Sequence, residues 1–291
     1  MNDPGGAAPS AERRSGPASV PLVINLRADD GATADVHRHG AHVTSWRPAG
    51  DREDRLYLSS RSEFGGSSAI RGGIPVIFPQ FAAEGPLPRH GFARTSLWAL
   101  GCIAREADGA ADAELVLRDS EETRAIWDAA FKAVIAVTVF ARRLEVSLRV
   151  ENVGETAFSF TAALHTYLRV RDVEDAELTG LQGTPYRVSG DATLHADEAE
   201  RLRFGDHVDR VYVGAPPSLE LRERDRAVLI EAEGFPDAVV WNPGRERAAA
   251  LRDLAPGDER RFVCVEAGAI QAPVTLGAGR RWTGTQTLTA R

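Results

Sequence analysis

The sequence predicts an all-β chain: a large antiparallel β-sandwich with few short helices. Three observations predict it. Apolar and polar residues alternate in many short runs, clusters of Gly, Pro and Asp separate those runs, and no repeating strand–helix pattern of the parallel kind occurs. The clearest run is Arg143 to Val150. Leu144, Val146, Leu148 and Val150 point one way and Arg143, Glu145, Ser147 and Arg149 the other, which is a strand with one wet face. The polar stretch 151–154 turns the chain, and a second strand is expected over 158–170. Similar runs occupy 21–27, 41–47, 98–105, 133–141, 218–222, 227–232, 238–241, 261–266 and 282–289. Only 119–128 reads as helical. Asp119 stands as its cap, Glu121 and Glu122 fill its first turn, and Ile126 and Trp127 are its apolar contacts. A short turn of 3₁₀ helix is the bland alternative there. Residues 1–19 are polar, lack the apolar core of a signal peptide, and are expected to be a disordered tail. Residues 20–291 show no linker, composition shift or internal repeat, so a single domain is expected.

Composition narrows the class further. Apolar residues at 43% and charged residues at 26% fit a soluble globular protein. The formal charge of -7 argues against a general nucleic-acid partner, which needs a basic excess to neutralise phosphates. It leaves a small anionic ligand open, because a few arginines in a cleft act against the sign of the whole protein. No apolar run approaches the ~20 residues that span a bilayer. The expectation is a cytoplasmic protein with no membrane partner. Both cysteines, Cys102 and Cys264, are expected as buried small apolar groups, and no Cys/His cluster at metal-ligand spacing is present.

Five stretches carry candidate chemistry. The first, Arg71 to Arg94, reads RGGIPVIFPQFAAEGPLPRHGFAR. Its glycines permit tight backbone geometry and its prolines interrupt strand pairing, so it is a long, stiffened loop of the kind that often serves function. Arg71, Arg89, His90 and Arg94 lie on it, and arginine's planar fork suits phosphate oxygens. Taken singly, each reads more plainly as a surface charge or, for His90, a satisfied loop histidine; their grouping on one loop weakens that reading, though spacing alone does not name a ligand. The second is ALHTYL over 163–168, where Ala163, His165 and Tyr167 share one face of a strand. Histidine exchanges a proton near its reference pKa of ~6.5, but a core histidine bonded to backbone is the plainer reading. The third is FVCVEAG over 262–268. Both of its faces are apolar, so Glu266 ends a buried strand as a candidate general base, with a solvated strand-end glutamate as the alternative. The fourth, DHVDRVY over 206–212, offers Asp209 as an acceptor for ligand hydroxyls, with a solvated turn acid as the plainer reading in isolation. The fifth, VVWNP over 239–243, offers Trp241 as a pocket wall or a core residue.

Those stretches, in this order, resemble the hexose-6-phosphate mutarotases, the glucose-6-phosphate 1-epimerase branch of the aldose 1-epimerase (galactose mutarotase-like) superfamily. The matching pieces are RGGIPVIFPQF, HGFAR, LHTYLRV, VDRVY, VVWNP and VCVEAG, spanning Arg71 to Gly268. RGGIP with HGFAR is the specific combination. The resemblance implies a many-stranded supersandwich with a cleft across one sheet. It implies His165 as catalytic acid and Glu266 as catalytic base. Arg71 and Arg94 would bind substrate at its phosphate, His90 would sit by the sugar ring, and Asp209 would hold ring hydroxyls. Arg89 departs from the pattern, where glutamine is common, and is either an added phosphate contact or a change of sugar preference. The implied reaction interconverts the α and β anomers of a hexose 6-phosphate, with no cofactor and no metal, in a monomeric enzyme. An aldose 1-epimerase for unphosphorylated sugars and a non-catalytic sugar-phosphate-binding module remain as alternatives.

Overall fold

A computed structural model describes residues 21–291; the expected tail at 1–19 lies outside them. Among the described residues, strands form three antiparallel sheets of three, eight and nine strands. The nine-stranded sheet runs, edge to edge, through Arg201–Arg203, Ala176–Thr179, Ser218–Glu223, Arg226–Glu233, Arg281–Ala290, Arg143–Asn152, Phe131–Phe140, Ala111–Arg118 and Ala99–Arg105. The alternation read at Arg143 holds. Leu144, Val146, Leu148 and Val150 are buried, while Ser147 bonds Thr285 at 2.7 Å and Arg149 reaches Glu114 at 3.1 Å on the outer face.

The eight-stranded sheet is ordered His195–Ala196, Pro185–Val188, Val208–Tyr212, Asp237–Asn242, Phe262–Leu276, Phe158–Leu164 and Val76–Ile77, with Tyr167–Arg169 also paired to Phe262–Leu276. Its inner face supplies Tyr212, Val240, Val263, Val265, Ala267 and Leu164 to the cluster that holds Leu144, Leu148, Ile135 and Leu288 of the other sheet. This is the sandwich expected, one core between the two large sheets, to which the three-stranded sheet of Val23–Arg27, Thr33–His37 and His42–Arg47 adds Leu26, Val36 and Trp46. The outer face of the eight-stranded sheet is not left to solvent. Loops cover it in two smaller apolar clusters, one around Ile77, Phe81, Val211 and Val239 and one around Tyr57, Tyr167, Leu254 and Phe262. That covering is why strand Phe262–Leu276 reads as apolar on both faces.

Several boundaries differ from expectation. The strand ending at Glu266 in the sequence reading continues to Leu276. The strand expected over 158–170 breaks at His165 and Thr166, between Phe158–Leu164 and Tyr167–Arg169. The short helix is Glu121–Ile126, and its cap is Ser120, which shares a reciprocal capping box with Thr123. Asp119 instead pairs with Arg124 at 2.7 Å. A second short helix, Gly244–Ala248, follows Pro243. Cys264 is buried, but Cys102 is exposed, on an edge strand that leaves most of its residues in water. No described helix is long and apolar enough to cross a membrane.

Candidate active site

Register alone brings His165 and Glu266 together. Leu164 pairs with Ala267 and Tyr167 with Cys264, both on strand Phe262–Leu276. The pairing keeps step across the break in the first strand, so His165 stands opposite Glu266 and Thr166 opposite Val265. The backbone agrees: the Val265 N–H donates to the Thr166 carbonyl at 3.1 Å. Opposed residues of an antiparallel pair share a face. His165 and Glu266 therefore both project outward, and His165 Nδ1 lies 3.2 Å from Glu266 Oε1. The same face carries Val239 opposite Glu266 and Asp209 opposite Trp241. His165 is 8% exposed and Glu266 2%, which overturns the solvated-glutamate reading. The 3.2 Å approach is a contact without hydrogen-bond alignment, and neither His165 Nδ1 nor Glu266 Oε2 has a protein hydrogen-bond partner. Buried polar atoms left without partners mark a place built for something other than folding.

The segment from Arg71 to Arg94, expected as one long loop, contains the short paired strand Val76–Ile77 and runs into the 3₁₀ turn Ala93–Thr95, and the loop between them folds over this pair. The segment begins with a turn that only glycine fits: Gly73 has φ +60, and a Cβ there would lie 2.2 Å from the Val43 carbonyl. The Gln80 side chain exchanges two hydrogen bonds with the Leu87 backbone, at 2.9 and 3.0 Å. Glu84 takes a bidentate contact from Arg187 at 2.7 and 2.8 Å. The loop ends at His90 and Gly91, both left-handed at φ 66. A Cβ on Gly91 would lie 2.1 Å from the Phe78 carbonyl, so glycine is obligatory there too. His90 Nδ1 accepts the Ala82 N–H at 3.3 Å, which leaves Nε2–H as its free donor.

All eight residues singled out in the sequence line one cavity of about 330 Å³: Arg71, Arg89, His90, Arg94, His165, Asp209 and Glu266, with Trp241 as a wall. That volume lies in the range of small-molecule sites. Sequence reasoning left Tyr167 and Asp253 without a role. Arg71 donates to the Tyr167 hydroxyl at 2.9 Å and pairs with Asp253 at 3.0 Å. The Tyr167 ring stacks on His165, with centroids 4.8 Å apart and planes 10° apart. A tyrosine two residues beyond the histidine, on the same strand face, was the signal available for it.

The charges divide unevenly. Arg71 is compensated by Asp253, whereas among the described residues no carboxylate stands within ion-pair distance of Arg89 or Arg94. Arg94 donates only to the Arg89 carbonyl, at 3.2 Å, and burial lowers its pKa, with Arg71 and Arg89 adding to the effect. Burial also drives His90 down to about 3, helped by the three arginines, so it is a neutral donor. Burial holds His165 well below 6.5, with His90, Arg71 and Arg94 pushing the same way. Burial lifts Glu266 well above the carboxylate range, and Asp209 adds to the rise. Both shifts favour the neutral forms of the pair. Desolvation of two groups inside the fold outweighs their mutual attraction, and the nearby cations oppose an imidazolium.

Comparison with known proteins agrees with this geometry. The aldose 1-epimerase family model matches residues 22–289. A protein of Cenchrus ciliaris provisionally named glucose-6-phosphate 1-epimerase is 33% identical over 292 aligned positions, covering 97% of this chain and 88% of that protein. One of the same provisional name from Escherichia coli K12 is 35% identical over 231 positions, covering 78% of this chain and 76% of that protein. The crystal structure of a provisionally assigned mutarotase from Salmonella typhimurium superposes with a TM-score of 0.82 at 28% identity, covering 94% of each chain. The chain belongs to the aldose 1-epimerase family.

Proposed function

We propose that this chain interconverts the α and β anomers of a hexose 6-phosphate, with glucose 6-phosphate as the first substrate to test. One observation carries the reading: a buried histidine–carboxyl pair faces a sugar-sized cavity whose rim holds arginines without acid partners.

The reaction opens and recloses the sugar ring. Glu266 takes the proton of the C1 hydroxyl, His165 protonates the ring oxygen, and the C1–O5 bond breaks to give the open aldehyde. Rotation about C1–C2 presents the other face of the carbonyl. The same two groups then run in reverse, O5 adding to C1 as each proton returns. Each positioned proton transfer contributes ~10²–10⁴ in rate. The working pair is carboxylate and imidazolium, whereas burial favours the neutral forms. A phosphate dianion beside Arg71 and Arg94 offsets the cations that oppose a charged His165, and so favours moving the pair's proton onto the imidazole.

The phosphate lies remote from the bond that changes, so its contacts bind and orient. Arg94 and Arg89, free of acid partners, are its principal holders, and Arg71 is fixed beside them by Asp253 and Tyr167. His90 donates to a ring oxygen or hydroxyl, and Asp209 accepts from ring hydroxyls. The reading takes the chain to act as a monomer in the cytoplasm on a small-molecule substrate, without nucleic-acid or membrane partners; its net charge of -7 supports the exclusion of nucleic acid. Turnover on glucose 6-phosphate against glucose tests the substrate class. Preference for glucose would overturn the phosphate reading and leave an epimerase of free aldoses.

A further inference from the structure

The inner face of strand Arg281–Ala290 carries Gly284, Gln286, Leu288 and Ala290, and Gln286 is the one long polar side chain in that apolar row. It is 1% exposed, inside the core between the two sheets. A buried amide is costly unless its hydrogen bonds are met, so a leucine there would be the cheaper residue for packing. Its bonds go to one place. The Thr166 hydroxyl donates to Gln286 Oε1, and Gln286 Nε2 donates to the Val265 carbonyl at 3.1 Å. The triangle is closed by the Val265 N–H on the Thr166 carbonyl at 3.1 Å. Thr166 follows His165 in the chain and Val265 precedes Glu266. The amide thus reaches across from the opposite sheet and ties together the two backbone positions that carry the buried pair.

We propose that Gln286, acting through Thr166 and Val265, is a positioning residue for the His165–Glu266 pair. This rests on the catalytic reading of that pair. The strand bearing His165 breaks at this point, and Thr166 N–H turns back to the Leu164 carbonyl at 3.0 Å. A one-residue slip in pairing sends every side chain to the opposite face, which here would withdraw His165 from the cavity. Backbone pairing keeps its register on either side of the break, and the Gln286 bridge adds a side-chain tie at the one step where the strand is interrupted.

The test uses the full chain and four variants: Gln286→Met, Thr166→Val, the two combined, and Thr166→Ser, which keeps the hydroxyl. With glucose 6-phosphate as substrate, Gln286→Met and Thr166→Val are each expected to lower kcat about 10-fold to 100-fold with KM nearly unchanged. The double variant should be no worse than the poorer single one, because both cut the same bridge. Thr166→Ser should retain kcat. Variants that melt earlier but keep wild-type kcat well below their melting temperature would reduce Gln286 to a packing residue. If wild type itself fails to turn over the substrate, the catalytic reading fails separately. The positioning claim is then read from ¹⁵N-imidazole spectra of His165, where an unchanged tautomer and titration in Gln286→Met overturns it.

Discussion

Two side chains on opposed strand positions carry the proposed chemistry, and each is costly to the fold. Glu266 is buried with its pKa raised. Such a group lends stability below its unfolded-state pKa, ~4.3, and loses it as pH rises through the folded value. Replacing it with the uncharged Gln removes that loss. Glu266→Gln should therefore melt above wild type at neutral pH, by ~2–4 °C for each kcal/mol relieved. The gain should vanish as pH falls to ~4 and both side chains are neutral; thermal melts across pH check this, and a lower melting temperature at pH 7 counts against the buried-acid account. Arg94 makes a prediction of the opposite kind. Its guanidinium donates only to the Arg89 carbonyl. Arg94→Ala should raise KM for glucose 6-phosphate about 10-fold to 100-fold, the worth of a charge-assisted contact, and barely alter turnover of glucose. At this scale the sequence was legible in unequal degrees. Taken alone, His165 reads more plainly as a core histidine and Glu266 equally as a solvated strand end, and only the family pattern selected them. Gln286 was legible in principle, as a polar residue in phase with Gly284, Leu288 and Ala290, since period-two patterns expose misfits. Asp253 had no local signal, because its partner Arg71 is distant in the chain.

Backbone turns position the site as firmly as strands do. The His90–Gly91 step is left-handed at both residues, and the Gly91 Cα sits against the Phe78 carbonyl. An ordinary Gly→Ala change stabilises by up to ~1 kcal/mol, but Gly91→Ala should destabilise by more than that, because its φ is positive and the backbone must move to clear the carbonyl. It should also raise KM by displacing Arg89 and Arg94; unfolding curves and steady-state kinetics report the two effects, and a wild-type KM would show that this turn does not place the arginines. The loop was readable because Gly and Pro have few uses other than such geometry. Strands were readable where Val, Ile and Leu alternate with charge, as at Arg143–Asn152. They were less so at Ala111–Arg118, where alanine supplies half the buried face and gives a weak apolar signal. Pairs as short as Val76–Ile77 and His195–Ala196 have no period to detect. The break at His165 was hidden for a different reason: pairing to Phe262–Leu276 continues in step on either side of it.

At the scale of the whole molecule, the sandwich core and the site sit on opposite faces of the same eight-stranded sheet. The fold class followed from the number of alternating runs, but the two apolar clusters that roof the outer face did not, because their members come from loops without periodicity. This separation implies that core damage and catalytic damage are separable. Leu148→Ala, on the far sheet and fully buried, should cost ~2–5 kcal/mol in stability and leave kcat of the folded enzyme unchanged. Denaturant unfolding together with kinetics at low temperature checks this, and a large fall in kcat would mean that the core transmits strain to the site. The central claim is that a buried His165–Glu266 pair anomerises a phosphosugar. Magnetisation-transfer NMR on glucose 6-phosphate and glucose, with wild type and Glu266→Gln, tests it most directly. The account predicts faster exchange of the phosphorylated sugar with wild type and a fall of ~10²–10⁴ with the variant. Exchange no faster than in buffer, or equally fast with Glu266→Gln, would contradict it.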